Sequence, residues 1–290
     1  MKKKIFYSVL FVFSIFCCNS QSNESLSKNG SLIQRDCFVE IPFQYINKHI
    51  FIDVDINNKK YTFLFDSACE INAIDKSISN EIGYNLLKKI DVSGSSITKN
   101  EVDLIEIFKI SISNLDYENT NGFIQDLTFI KKNYENINVQ GIIGNNLMRK
   151  SNWQIDYKNK IIRISDKTDK FSFSKTDFII ELSKKKWGLG YIDLKIDSKK
   201  HKFIFDTGSS GRFTANKSFI KYFNDSNENN SDLEKLIVNT QNIKLGNVEL
   251  KNEKISLENG VSSLIGNDFF QDYILTIDWS NNLIYLSTQN

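Results

Sequence analysis

The chain has 290 residues, enough for two domains of about 150 residues each, and its 40% hydrophobic and 25% charged content is that of an ordinary globular protein. Lys plus Arg number 37 against 35 Asp plus Glu, and setting Lys2, Lys3 and Lys4 aside as part of a removable leader leaves one net negative charge, which argues against a nucleic-acid binder. Two histidines, His49 and His201, exclude a His-rich metal centre, and the single proline, Pro42, excludes a Pro-rich linker.

In chain order, Lys2–Lys4 form a positive start and Ile5–Phe16 an apolar run too short to span a bilayer, the pattern of a signal peptide over residues 1–17. The run ends in Ile15-Phe16-Cys17-Cys18, which resembles a loose bacterial lipobox with Cys18 as the lipidated residue; an ordinary secreted protein or an uncleaved anchor is the other reading. Residues 18–35 are polar and serve as a flexible tether. The expected location is the bacterial cell envelope, with the chain held to a membrane by its lipid and facing the periplasm or the exterior. Cys37 and Cys69 remain for the folded part, either paired or, in the plainer reading, as separate buried thiols.

The organising feature is an internal duplication. Phe51–Asp66 aligns without gaps on Tyr191–Asp206, and Gly141-Ile-Ile-Gly144-Asn-Asn followed by Gln154-Ile-Asp156 recurs as Ser263-Leu-Ile-Gly266-Asn-Asp followed by Thr276-Ile-Asp278. Within each copy, Ile50–Ile56 and Tyr191–Ile196 alternate apolar and polar like half-buried strands, and the Asn57–Lys60 and Asp197–Lys200 turns lead each into a hairpin. Phe63-Leu64-Phe65 and Phe203-Ile204-Phe205 are continuous apolar runs, expected where a strand is buried on both faces. Asp156–Ile161 and Asp278–Leu283 close each copy with a further hairpin, and short helical pieces are expected at Lys76–Ile82, Asn146–Lys150 and Lys217–Tyr222. The expected fold is mainly β, with two similar lobes related by an approximate two-fold: residues 36–166 and 177–290, joined by a linker at 167–176. Lys184–Lys186 reads as a solvated face, and no Gly-rich phosphate loop is present.

An aspartate follows each buried strand, Asp66 after Phe-Leu-Phe and Asp206 after Phe-Ile-Phe. A buried carboxylate must be hydrogen-bonded, paired or protonated. Two lobes related by a two-fold would bring the equivalent aspartates together, where they would share one proton and hold a water between them. One carboxylate can then take a proton from water while the other polarises a carbonyl. The plainer reading of each is an aspartate that satisfies backbone amides at a strand-end turn.

Asp206-Thr207-Gly208-Ser209-Ser210 resembles the Asp-Thr-Gly-Ser signature of aspartic proteases, and Ile-Ile-Gly144 and Leu-Ile-Gly266 resemble that family's second motif. With Ile41-Pro42-Phe43 and the strand that follows, the likeness to bacterial retropepsin-like proteins covers residues 36–288. The resemblance implies two closed, barrel-like acid-protease lobes in one chain, so that no oligomer is required. It implies Asp66 and Asp206 as catalytic, and Ser67, Thr207, Gly208 and Ser209 as bracing the loops. Gly144 and Gly266 would pack beside those loops, and Gly94-Ser95-Ser96 would be the tip of a flap. No metal or other cofactor is implied, and the partner is a peptide or protein substrate. Residues 224–232, at the corresponding place in the second copy, read as an Asn- and Asp-rich loop.

The first copy departs from the signature, reading Asp66-Ser67-Ala68-Cys69, so that a Cβ stands where the family has glycine. Two functions follow. One is an aspartic endopeptidase. The other is a protease-fold protein that binds a peptide or glycan between its lobes, turnover having been lost through Ala68. A serine hydrolase built on His201 lacks the Gly-x-Ser-x-Gly elbow such enzymes need.

Overall fold

The computed structural model describes residues 28–94, 97–134, 136–173, 178–184, 188–196, 199–222, 235–240 and 242–289. The leader with Cys17 and Cys18, and the whole polar loop at 224–232, lie outside them. The described chain is mainly β, as the alternating apolar pattern predicts.

In the first copy, His49–Ile56 and Lys59–Phe65 form a hairpin whose register runs from Phe51 opposite Leu64 to Ile56 opposite Lys59. Asn57 and Asn58 turn it with φ of 51° and 59°, the left-handed pair that a two-residue hairpin loop demands. Val139–Ile143 lies parallel to the other side of Lys59–Phe65. Phe63, Leu64 and Phe65 are therefore enclosed, and all three are buried. The second copy repeats the arrangement: Gly190–Ile196 pairs antiparallel with Lys199–Phe205, and Leu264–Ile265 runs parallel on its far side. Phe203, Ile204 and Phe205 are buried likewise.

The closing hairpins meet each other. Asn152–Asp156 pairs antiparallel with Tyr273–Asp278, with Trp153 opposite Ile277 and Ile155 opposite Leu275. Under the repeat's own alignment those two pairs exchange, so the register is self-complementary and an approximate two-fold passes between the strands. Ile161–Ser165 and Phe38–Pro42 extend this sheet on one side, Leu283–Thr288 and Phe178–Lys184 on the other. Buried Trp153, Ile155, Leu275 and Ile277 join the apolar centres of both copies through it.

Helical turns are short. Lys76–Ile78 and Lys217–Tyr222 are 3-10 turns, and Asn145–Met148 is one turn of α-helix. Thr128–Lys131, Asn267–Phe270 and a 3-10 turn at Thr168–Lys170 also form, none with the apolar periodicity that would have revealed it. Cys37 and Cys69 are separate thiols, Cys69 buried and Cys37 half-buried, so the plainer of the two readings holds.

Candidate active site

Asp66 and Asp206 each end a buried strand, and their strands emerge at the same place between the copies. Both are fully buried. The Ala68 and Cys69 amides donate to Asp66 Oδ1 at 2.8 and 3.1 Å, and the Gly208 amide donates to Asp206 Oδ1 at 2.8 Å. Oδ2 of each has no other partner among the described residues, and the two carboxyls lie within hydrogen-bonding reach of each other. Burial pushes both up from the ordinary carboxylate range. Backbone amides restrain the rise at both, Ala68 and Cys69 at Asp66 and Gly208 and Ser209 at Asp206, and the two carboxyls act on each other. Two buried carboxyls this close cannot both ionise freely.

Four reciprocal hydrogen bonds hold the loops in register. Ser67 Oγ donates to the Phe205 carbonyl at 2.9 Å and accepts from the Thr207 amide at 2.9 Å. Thr207 Oγ1 donates to the Phe65 carbonyl at 3.2 Å and accepts from the Ser67 amide at 3.0 Å. Each hydroxyl spends one donor and one acceptor across the interface, so four buried polar groups are satisfied by two side chains. Ser209 does not cross: its Oγ accepts from the Gly211 amide in its own loop at 3.1 Å.

The glycine motifs back the loops. A Cβ at Gly144 would lie 2.6 Å from the Ile71 carbonyl carbon, and one at Gly266 would lie 2.6 Å from both the Ser209 and Gly211 carbonyl oxygens. The residue after each glycine, which the motif reading left without a role, ties the loop down. Asn145 Nδ2 donates to the Ser67 carbonyl at 3.0 Å and Asn267 Nδ2 to the Thr207 carbonyl, while their amides donate to the Cys69 and Ser209 carbonyls. Their recurrence at one place in both repeats was the signal for them. His49 is a second omission. Its buried Nδ1 lies 2.9 Å from the Asn47 carbonyl and 2.7 Å from the Tyr134 hydroxyl, and the ring abuts the Gly208 backbone. Burial lowers it to about 4, so it is neutral. His201 instead packs on Phe219, with ring centroids 4.9 Å apart.

Gly208 and Ala68 differ in space rather than in backbone conformation, since neither has a positive φ. A Cβ on Gly208 would stand 2.2 Å from Asp66 Cγ, so the carboxyl lies directly against this glycine. The Ala68 methyl is buried in an apolar cluster with Ile204 and Leu264 of the other copy. The expected flap tip ends a long hairpin: Tyr84–Gly94 pairs with Ile97–Ile112, Gly94 standing opposite Ile97. Ser95 and Ser96 lie outside the described residues.

Residues 52–147 match the family model described as aspartyl protease. Over that stretch the chain is similar to aspartyl proteases. The matched segment holds Asp66 and Gly144 and stops short of Asp206, so the copy that departs at Ala68 is the one the family model finds. No curated protein matches the chain.

Proposed function

We propose that the chain is an aspartic endopeptidase whose two copies, residues 36–166 and 177–290, act as lobes around one dyad. The observation that carries this reading is the pair of fully buried carboxyls, Asp66 and Asp206, set side by side with their free oxygens unclaimed by other groups. Asp66 takes a proton from a water held between the pair, and the water oxygen bonds to the peptide carbonyl carbon. Asp206 gives its proton to the carbonyl oxygen. Collapse of the tetrahedral species breaks the C–N bond, the proton held by Asp66 passes to the leaving nitrogen, and one hydroxyl returns its proton to Asp206 as the carbonyl reforms. The reciprocal Ser67 and Thr207 bonds fix the geometry that such transfers need.

Ala68 is compatible with this chemistry because its methyl is housed between Ile204 and Leu264 at an unstrained φ. Cys18 is the proposed lipidated residue, which would place both lobes on a tether outside the cytoplasmic membrane. The test is cleavage of a peptide library by the purified chain, with product masses read after incubation across acidic to neutral pH. Asp66→Asn and Asp206→Asn should each abolish cleavage. Full activity in either variant would refute the dyad, and peptide binding without cleavage by the wild type would replace the peptidase with a binding protein.

A further inference from the structure

Asn267 does more than hold the Thr207 carbonyl. Its Nδ2 donates to two carbonyls, that of Thr207 at 2.6 Å in its own copy and that of Lys48 at 2.8 Å in the other. Carbonyls only accept, so the amide has one orientation, with Oδ1 turned to the Tyr157 hydroxyl 2.8 Å away. The hydroxyl must therefore be the donor. Tyr157 follows the strand Asn152–Asp156 of the first copy, is buried, and is wedged against Phe43 and Tyr45 with ring centroids 6.1 and 5.3 Å away. Burial holds its phenol well above the ordinary range, so the proton stays in place for that bond.

The bond heads a continuous relay that ends on a carboxyl. Thr207 and Gly208 share one rigid peptide unit. Its carbonyl end is held by Asn267, and its N–H end donates to Asp206 Oδ1 at 2.8 Å. Donation from Tyr157 polarises the Asn267 amide, the amide polarises the peptide, and the Gly208 N–H becomes a stronger donor to a charged Asp206. The Asp66 side has the same relay without its head. Asn145 Nδ2 donates to the Ser67 carbonyl at 3.0 Å and the Ala68 N–H to Asp66 Oδ1 at 2.8 Å, but Asn145 Oδ1 has no partner among the described residues. The repeat puts Trp279 in the place of Tyr157, and its buried indole N–H has no partner among them either. Arg149, one helical turn beyond Asn145, lies over the Trp279 ring at 6.0 Å from its centroid, so the indole occupies the equivalent ground.

We propose that Tyr157 is a positioning residue for Asp206, acting from the first copy through Asn267 and the Thr207–Gly208 peptide. Its effect on rate rests on the peptidase reading, so the test has one arm that needs turnover and one that does not.

Tyr157→Phe removes the hydroxyl, keeps the ring, and leaves in place the other titratable groups near the dyad and the tyrosine, Cys69, His49 and Tyr45. A less polarised Gly208 N–H favours a charged Asp206 less, so the limbs of the pH profile of kcat/KM should move to higher pH, by about 0.3–1 pH unit summed over the two. On a fluorogenic peptide kcat should fall about 2- to 10-fold, with KM changed less than about two-fold. Tyr45→Phe is the control, because its hydroxyl donates to Gln271 Oε1 at 3.1 Å, in the same aromatic cluster but outside the relay, and both limbs should stay put. 3-Fluorotyrosine at position 157, a stronger donor of nearly the same shape, should move the limbs to lower pH and serves if Tyr157→Phe does not fold. The second arm titrates the carboxyl 13C signals of the full chain, the dyad being assigned from Asp66→Asn and Asp206→Asn. A wild type that cleaves nothing, but whose dyad signals titrate at higher pH in Tyr157→Phe, would refute the peptidase and uphold the relay. Limbs and carboxyl signals that stay put in Tyr157→Phe, or that move equally in Tyr45→Phe, overturn the relay whatever the change in rate or stability.

Discussion

Replacing Gly208 by alanine would set a methyl carbon 2.2 Å from Cγ of Asp66 and 2.5 Å from each of its carboxyl oxygens. Non-bonded carbons rest at about 3.5–4.0 Å, so the clash exceeds 1 Å and something must move. Asp66 cannot swing into solvent, because it is fully buried and two amides grip Oδ1. The Gly208 loop cannot easily withdraw either, since Thr207 is tied to Ser67 and Phe65 and its carbonyl is held by Asn267. A displacement near 1 Å at reacting groups costs about 100-fold in rate, and overpacking a well-filled site typically costs 1–3 kcal/mol. Gly208→Ala should therefore lower kcat on a fluorogenic peptide by at least about 100-fold and lower stability by about 1–3 kcal/mol in urea unfolding. Ala68→Gly is the control. It removes a methyl buried against Ile204 and Leu264 and should lose about 1–2 kcal/mol while leaving kcat within a few-fold. A Gly208→Ala variant with wild-type turnover and midpoint would refute the placement of Asp66 against this glycine.

Ser67→Ala would leave the Thr207 amide and the Phe205 carbonyl without partners, so a loss of about 1–3 kcal/mol for each is expected in urea unfolding. Stability should also fall as pH rises from 6.5 to 8. Glu70, which burial pushes up to about 8, and the dyad hold their protons longer in the folded chain than in the unfolded one, so the stability they give is complete below the ordinary carboxylate range and is lost as pH climbs through their raised values. His49 acts in the opposite sense, its contribution being present above 6.5 and lost toward about 4, so it does not mask the fall in this window. Urea midpoints across the window should show the decline, and Glu70→Gln should flatten it. For the anchor, Cys18→Ala should move the protein from the membrane fraction to the soluble one or stop its processing, which detergent partitioning would show.

The β architecture was legible because its signals are local. The alternation of Ile50–Ile56, the asparagine turn at 57–58 and the apolar run before Asp66 each report on a few neighbouring residues, and the structure places all three as strand, turn and enclosed strand. The pairing of Asn152–Asp156 with Tyr273–Asp278 was not legible, because it joins segments far apart in the chain whose apolar pattern would suit many partners. At the site, Asp66, Ser67, Thr207, Gly144 and Gly266 stood out because motif and repeat coincide on them. Asn145 and Asn267 carried the same repeat signal, but polar residues after a glycine are commonplace in turns. Their work lies in tertiary hydrogen bonds to Ser67 and Thr207. Nothing in the sequence pointed from His49 to Tyr134 in its own copy or to the Gly208 backbone in the other.

The difference between Ala68 and Gly208 follows from what a dyad asks of its two members. Here Asp66 lies against a bare glycine with the Ala68 and Cys69 amides on its Oδ1, while the Gly208 and Ser209 amides restrain Asp206. The glycine is needed on the Asp206 loop because the carboxyl of Asp66 occupies the space a Cβ would take. The Asp66 loop has no such demand once its methyl is received by Ile204 and Leu264. A duplicated fold can therefore give up the second glycine, as long as the four bonds made by Ser67 and Thr207 keep the loops in register. Breaking the reciprocity while sparing the carboxyls separates the two effects. Ser67→Ala should slow turnover and destabilise the chain together, whereas Ala68→Gly should destabilise it alone. If both variants lose turnover in proportion to stability, the four bonds do no more than stabilise the fold.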